Sequence, residues 1–217
     1  MKFPNAYDGV KKIYTAEILG LIGTALALLA LFFGLIFVTA ADTNADTAAF
    51  ASLGGLAIFT LAGSILGIVA FIMNIVGINR AKIDEDEFTK ALLFVILGIA
   101  ASVIAAIFSK NTIINGIADT ISKVCDLLAT VYIIYGIISL SNRLDNPRMA
   151  EFGRKNLILI VAVTLLSVIL DIISTIFQGK GMQTVYAVLG ILAAIASIVQ
   201  YIIYLMLLSR AKKMLAQ

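Results

Sequence analysis

Residues 15–39 read TAEILGLIGTALALLALFFGLIFVT, a run of 25 positions with one ionisable side chain, Glu17. A helix that crosses the hydrocarbon core needs roughly 20 mostly apolar residues, within a range of about 17–25. The run does not alternate with period two, which excludes a strand of an outer-membrane barrel. Lys11 and Lys12 precede it and Ala40-Ala41 follow it, as in a secretory signal. Its apolar stretch is much longer than the roughly 7–15 residues of a signal core, so it reads as a permanent membrane helix.

Five further runs of the same kind follow at 53–78, 91–108, 119–141, 156–177 and 185–208. They leave almost nothing for a separate soluble domain, so residues 1–217 read as a single transmembrane domain. Composition agrees. The chain is 61% hydrophobic and 13% charged, with a mean hydropathy of +1.06. Soluble domains run near 45–50% apolar and about 25% charged. These values exclude a soluble globular protein, a disordered chain and a nucleic-acid binder. The fold class is all-α, a polytopic membrane protein with six transmembrane helices.

Lys and Arg gather in cytoplasmic loops because positive charge resists translocation. Lys2, Lys11 and Lys12 precede the first run, and Arg80, Lys82 and Lys90 lie between the second and third. Arg143, Arg148, Arg154 and Lys155 lie between the fourth and fifth, and Arg210, Lys212 and Lys213 follow the sixth. The other side holds Lys110 and Lys180, with Asp42 and Asp46. Both termini are therefore expected in the cytoplasm, in a multi-pass protein of the plasma (inner) membrane. The net charge of +3 comes from this asymmetry.

The six runs read as three copies of a two-helix hairpin, over 5–80, 84–143 and 146–213. Aligning Lys12, Lys90 and Lys155 sets Glu17-Ile18-Leu19-Gly20 against Val95-Ile96-Leu97-Gly98 and stacks Thr24, Ser102 and Ser167. The returning helices close with Asn79-Arg80, Asn142-Arg143 and Ser209-Arg210, which makes Arg80, Arg143 and Arg210 the helix-end arginines of the three units. Repeats of this parity are related by an axis along the membrane normal. Helix starts are expected at Asn5-Ala6-Tyr7-Asp8 and Asp84-Glu85-Asp86-Glu87, which place an acid three residues after an Asn or Asp cap. A third start is expected at Asn146-Pro147, a cap before a proline at the first helical position.

Small residues at four-residue spacing predict close helix packing in lipid, where no hydrophobic drive pulls helices together. Gly63-xxx-Gly67, Gly98-xxx-Ser102, Gly190-xxx-Ala194 and Ala193-xxx-Ser197 have that spacing. They fit a compact bundle, a homo-oligomer or a seat for another membrane-protein subunit. Asn74 and Gln200 read as hydrogen-bond partners between helices. Tyr132, Tyr135, Tyr201 and Tyr204 read as packing residues.

Ionisable groups at membrane depth are costly and raise a functional hypothesis by default. The fourth run carries Asp119, Lys123 and Asp126, and the fifth carries Asp171. At about 1.5 Å per residue, Asp126, Lys123 and Asp171 lie roughly 6, 10 and 7 Å outward of their spans' midpoints. Lys123, Asp126 and Asp171 therefore form the candidate intramembrane polar site. Lys123 can reach Asp119 at i−4 or Asp126 at i+3. One lysine cannot compensate both Asp126 and Asp171 in a dry site, so either a carboxyl is protonated or a cation or water joins them. Such a site suits a transporter, a channel or a transporter subunit. The bland alternative has Lys123 snorkelling to the headgroups and the acids serving helix packing. On that alternative the protein is a membrane scaffold or accessory subunit binding membrane proteins or lipids.

Asp126 and Asp171 could imitate an intramembrane aspartyl dyad, but the sequence around neither resembles the motifs of such proteases, and most other chemistry lacks its residues. The chain has no histidine and one cysteine, so histidine-based triads, histidine metal sites and CxxC pairs are excluded. There is no GxxxxGK[ST] loop. The expectation is a non-enzyme without cofactor or metal, with the lipid bilayer as partner. Mitochondrial carriers also use three two-helix units, but with Pro-x-[Asp/Glu]-x-x-[Lys/Arg] on their odd helices. Here Pro4 and Pro147 both lie outside the apolar runs, so that comparison fails.

Overall fold

The computed structural model describes residues 2–42, 46–179 and 183–217. Side chains at 37–52, at most positions of 167–197 and at 112, 113 and 116 fall outside the description. The described chain is all-helical: α1 Pro4–Asp42, α2 Asp46–Ala81, α3 Glu87–Ile107, α4 Thr112–Arg143, α5 Pro147–Gly179 and α6 Gln183–Leu215. Five of the apolar runs expected from the sequence fall inside one of these helices, and the run 91–108 passes the end of α3 by one residue, Phe108. Among the described residues, four stretches are long and apolar enough to cross a membrane: Pro4–Ile36, Leu53–Ala81, Glu87–Ile107 and Ile117–Arg143. Leu28, Leu31, Phe32 and Leu35 of α1 and Ile58, Leu61, Ile65 and Ile68 of α2 are all exposed. So much outward-facing apolar surface suits a lipid environment.

The chain divides into two units, residues 11–77 and residues 1–10 with 78–217. The boundaries cross α1 and α2, so the expected hairpin 5–80 is divided, whereas 84–143 and 146–213 lie in one unit.

In the unit 11–77, α1 and α2 meet at glycines. A Cβ added to Gly63 would stand 3.1 Å from the Gly23 carbonyl oxygen, and one added to Gly23 would stand 3.3 Å from that of Gly63. The expected Gly63-xxx-Gly67 pattern is thus used at Gly63, with Gly23 opposite, while nothing lies within 4 Å of a Cβ at Gly67. Phe33 stacks on Phe59 with centroids 5.4 Å apart. Asn74 Nδ2 donates to Glu17 Oε1 at 3.2 Å, the interhelical hydrogen bond expected of Asn74.

In the larger unit, α3 packs on α4, α4 on α5 and α5 on α6. Helix α3 lies against α4 through Phe88, fully buried over Gly136, and Phe94, stacked on Tyr132 at 5.4 Å. Tyr132 and the buried Tyr204 are packing residues as expected, whereas Tyr135 is exposed. Gly153 of α5 admits Ile138 of α4, whose Cγ1 would lie 2.6 Å from an added Cβ. Gln200 is half-buried. Ser167, Gly190, Ala193, Ala194 and Ser197 lie outside the described side chains, so the packing motifs expected in α6 receive no account here.

Two of the three expected helix starts are corrected. Helix α1 begins at Pro4, with the Tyr7 amide donating to the Phe3 carbonyl at 3.0 Å, so Asn5 lies inside the first turn and is not its cap. The acid at 84 does not serve its own helix. Its carboxylate accepts from the Ala6 amide at 2.7 Å and from Asn5 Nδ2 at 3.1 Å, so Asp84 satisfies the first turn of α1. Helix α3 starts at Glu87, and Asp86 before it makes no side-chain cap bond. The third expectation holds: Asn146 Oδ1 accepts from the Met149 amide at 3.1 Å, with Pro147 opening α5.

Candidate functional site

The candidate polar residues of α4 take separate partners. Lys123 Nζ lies 3.0 Å from Asp119 Oδ2, one turn toward the start of α4, and both side chains are exposed. Of the two acids within its reach, the lysine takes Asp119. Leaning toward the helix start is the direction in which a long helical side chain points. It also carries the ammonium toward the end of the apolar run, as snorkelling requires.

Asp126 is thereby left without the cation. Among the described residues no hydrogen bond or ion pair reaches its carboxyl. It points across to α3, where a Cβ added to Gly98 would lie 3.3 Å from Asp126 Oδ1 and 3.3 Å from Cys125 Cβ. Gly98 therefore makes room for the carboxyl. One turn away on both helices, Ser122 Oγ donates to the Gly98 carbonyl at 3.3 Å and lies 2.8 Å from Ser102 Oγ. The Gly98-xxx-Ser102 spacing of α3 thus faces Ser122-xxx-Asp126 of α4. A seam read from sequence as close packing is a line of polar groups between two apolar helices. The missed member is Ser122, whose signal was its place four residues before Asp126, on the same helical face.

On the other flank of this seam, α3 and α4 enclose an open crevice of about 390 Å³ lined by Leu97, Ala101, Ile104, Ala118, Ile121 and Cys125, all apolar. No three carboxylate or thiol groups cluster as a metal site among the described residues. The third candidate, Asp171, belongs to α5 in its backbone, and its side chain lies outside the described residues.

The three helix-end arginines do three different things. Arg80 Nε lies 4.0 Å from Asp8 Oδ2. Arg210 sets its guanidinium 4.1 Å from the centroid of Phe152. Arg143 is a hub: Nη1 donates to the Asp84 carbonyl at 2.9 Å and to Glu85 Oε2 at 3.1 Å, and the guanidinium covers the ring of Phe3 at 4.5 Å. Lys2 Nζ donates to the Arg143 carbonyl at 3.1 Å. The chain start, the α2–α3 turn and the end of α4 are tied together through this one residue. The acidic run 84–87 is thus bound within the protein, at Asn5, Ala6, Arg143 and, through Glu87, Lys90 at 2.9 Å. No protein family, characterised protein or solved structure matches the chain.

Proposed function

We propose that this chain is a small six-span membrane transport protein, or a subunit of one, with both termini cytoplasmic and a protonatable carboxyl at Asp126 as its working group. The observation that carries this reading is the Asp126 carboxyl itself. It sits inside an apolar span, exposed at the edge of the seam with Gly98 and Ser122, and the one lysine within reach is held by Asp119. A carboxylate in such a place is costly, and taking up a proton relieves the cost. The neighbouring crevice is apolar and no second described carboxylate joins Asp126, so a proton suits the site better than a metal cation.

The hairpin register supports the same reading. Counting back equally from Arg80, Arg143 and Arg210 aligns Gly63, Asp126 and Ala193. Gly63 is the helix-contact glycine of its hairpin. A small residue therefore suffices for packing at this position, and the acid in α4 answers to something other than packing.

The test replaces Cys125 with Ala and Asp126 with Cys, then treats intact cells with a small membrane-impermeant thiol reagent. Labelling slower than at a cysteine placed at 110, yet complete with time, is the expected result. Absence of labelling at 126 from either membrane face, with 110 labelled, would rule out a water-accessible transport site.

A second reading, a scaffold that seats other membrane helices, rests on one observation in α1 and α2. Gly20, Thr24 and Ala27 of α1 and Thr60, Ser64 and Gly67 of α2 line an open groove of about 640 Å³. Small residues of this kind let another backbone approach closely in lipid.

A further inference from the structure

Five of the described cations face an acid: Arg80 with Asp8, Lys90 with Glu87, Lys123 with Asp119, Arg143 with Glu85 and Lys155 with Glu151. Three others gather at the end of the α5/α6 pair where α5 begins and α6 finishes. Helix α6 contains no Asp or Glu. The acid of the first turns of α5, Glu151, is bound by Lys155 at 2.7 Å. That hydrogen bond and charge hold its carboxyl below the usual carboxylate range. Asp145, in the turn before α5, forms no ion pair among the described residues. Arg148, Arg210 and Lys213 are exposed, and among the described residues none of them has a carboxylate partner.

One of these three cations, Arg210, lies on an aromatic ring, and the other two lie one turn from that pair along their helices. Arg210 stacks on Phe152, which leaves the edge N–H donors of the guanidinium open. Arg148 lies one turn before Phe152 on α5, and Lys213 lies one turn after Arg210 on α6. In consecutive antiparallel helices those two steps run the same way, so Arg148 and Lys213 share a level about 5 Å beyond the stacked pair. In the opposite direction α5 carries Lys155, paired with Glu151, one turn after Phe152, and the faces turn apolar beyond it. Leu159 follows Phe152 by two turns, Met206 precedes Arg210 by one, and both are exposed. The cations thus lead, past the Lys155–Glu151 pair, to apolar side chains.

We infer that this end of the α5/α6 pair binds an anionic phospholipid, its phosphate among Arg148, Arg210 and Lys213 and its acyl chain along Leu159 and Met206. An anion alone would use the cations and leave the apolar side chains bare; an anionic amphiphile uses both. A flat, fixed guanidinium suits a phosphodiester better than a mobile ammonium does, because it presents paired donors in one plane. The inference does not depend on transport.

The test counts lipids retained on the purified full-length chain by native mass spectrometry, after equilibration with mixed micelles of equal phosphatidylglycerol and phosphatidylcholine. Wild type should retain phosphatidylglycerol in excess. Arg148→Gln with Lys213→Gln removes two exposed, unpaired charges and leaves the Arg210–Phe152 stack intact. Its affinity for phosphatidylglycerol should fall about fivefold per charge, the equivalent of about 1 kcal/mol for each basic residue near the surface. Lys11→Gln with Lys82→Gln, the same loss of charge away from these three cations, should leave retention unchanged. Equal retention of the two lipids by wild type, or equal losses in the two double variants, would overturn the inference. Displacement of the lipid by excess inorganic phosphate would also overturn it, by assigning the three cations to a free anion. If the first double variant does not fold, wild type supplies the test, since its phosphatidylglycerol excess must shrink as salt rises.

Discussion

At the scale of single residues, what decides a position here is which helix stands opposite. Gly136 shows it. A Cβ at that position would meet the Phe88 ring at 2.6–3.0 Å, and that ring is fully buried. Gly136→Ala should lower stability by about 1–3 kcal/mol, the usual cost of overpacking a closed contact. Gly67→Ala, with nothing within 4 Å, should not. Midpoints of thermal unfolding in one detergent check both, and equal shifts would contradict the packing described. Lys123 makes the same point with charge. Spacing along the helix put two acids within its reach, and the direction a helical side chain leans selects Asp119. Gly63 was legible as a contact glycine because its spacing marks a face. Its partner Gly23 was not, since a spacing on one helix says nothing about the residue across the gap.

At the scale of elements, the apolar runs were legible almost to their ends because hydrophobic length is a strong signal. The helix starts were legible only where the cap is local. Asn146 bonds to the amide three residues on, so the sequence contained both partners side by side. Asp84 sits in a run that resembles a local cap and yet serves a helix that begins 80 positions earlier in the chain, at Pro4. Asp84→Ala should cost about 1 kcal/mol, as removal of a helix cap does. The loss should appear as faster amide exchange at Ala6 and Tyr7 in α1, with α3 unchanged. Exchange that quickened in the first turn of α3 instead would return Asp84 to its own helix. The polar seam between α3 and α4 was half legible. Ser102 and Asp126 stood out, and Ser122 emerges once the two helices are set side by side.

At the scale of the whole molecule, the proposed orientation rests on the basic rims. In a Cys125→Ala background, a cysteine at Lys110 should react with an impermeant thiol reagent added to intact cells. A cysteine at Lys82 should react only after the membrane is opened. The reverse pattern would invert the orientation, and reaction of both in intact cells would break the membrane reading of α3. The division into 11–77 and the remainder was not legible. Lys11-Lys12 and Asn79-Arg80 stand beside those boundaries, but charge of that kind marks the end of an apolar run and not a border between units.

The reach of Asp84 back to Ala6 has a consequence for how the chain is made. A ribosome releases the first helix long before it has polymerised the acid that completes that helix's opening turn. Until residue 84 emerges, the Ala6 amide must be satisfied by water, and Phe3 waits still longer for the guanidinium of Arg143. The opening turn of α1 is therefore completed only after three more helices have been made, and a nascent chain stalled in α2 would hold an α1 with a loose foot.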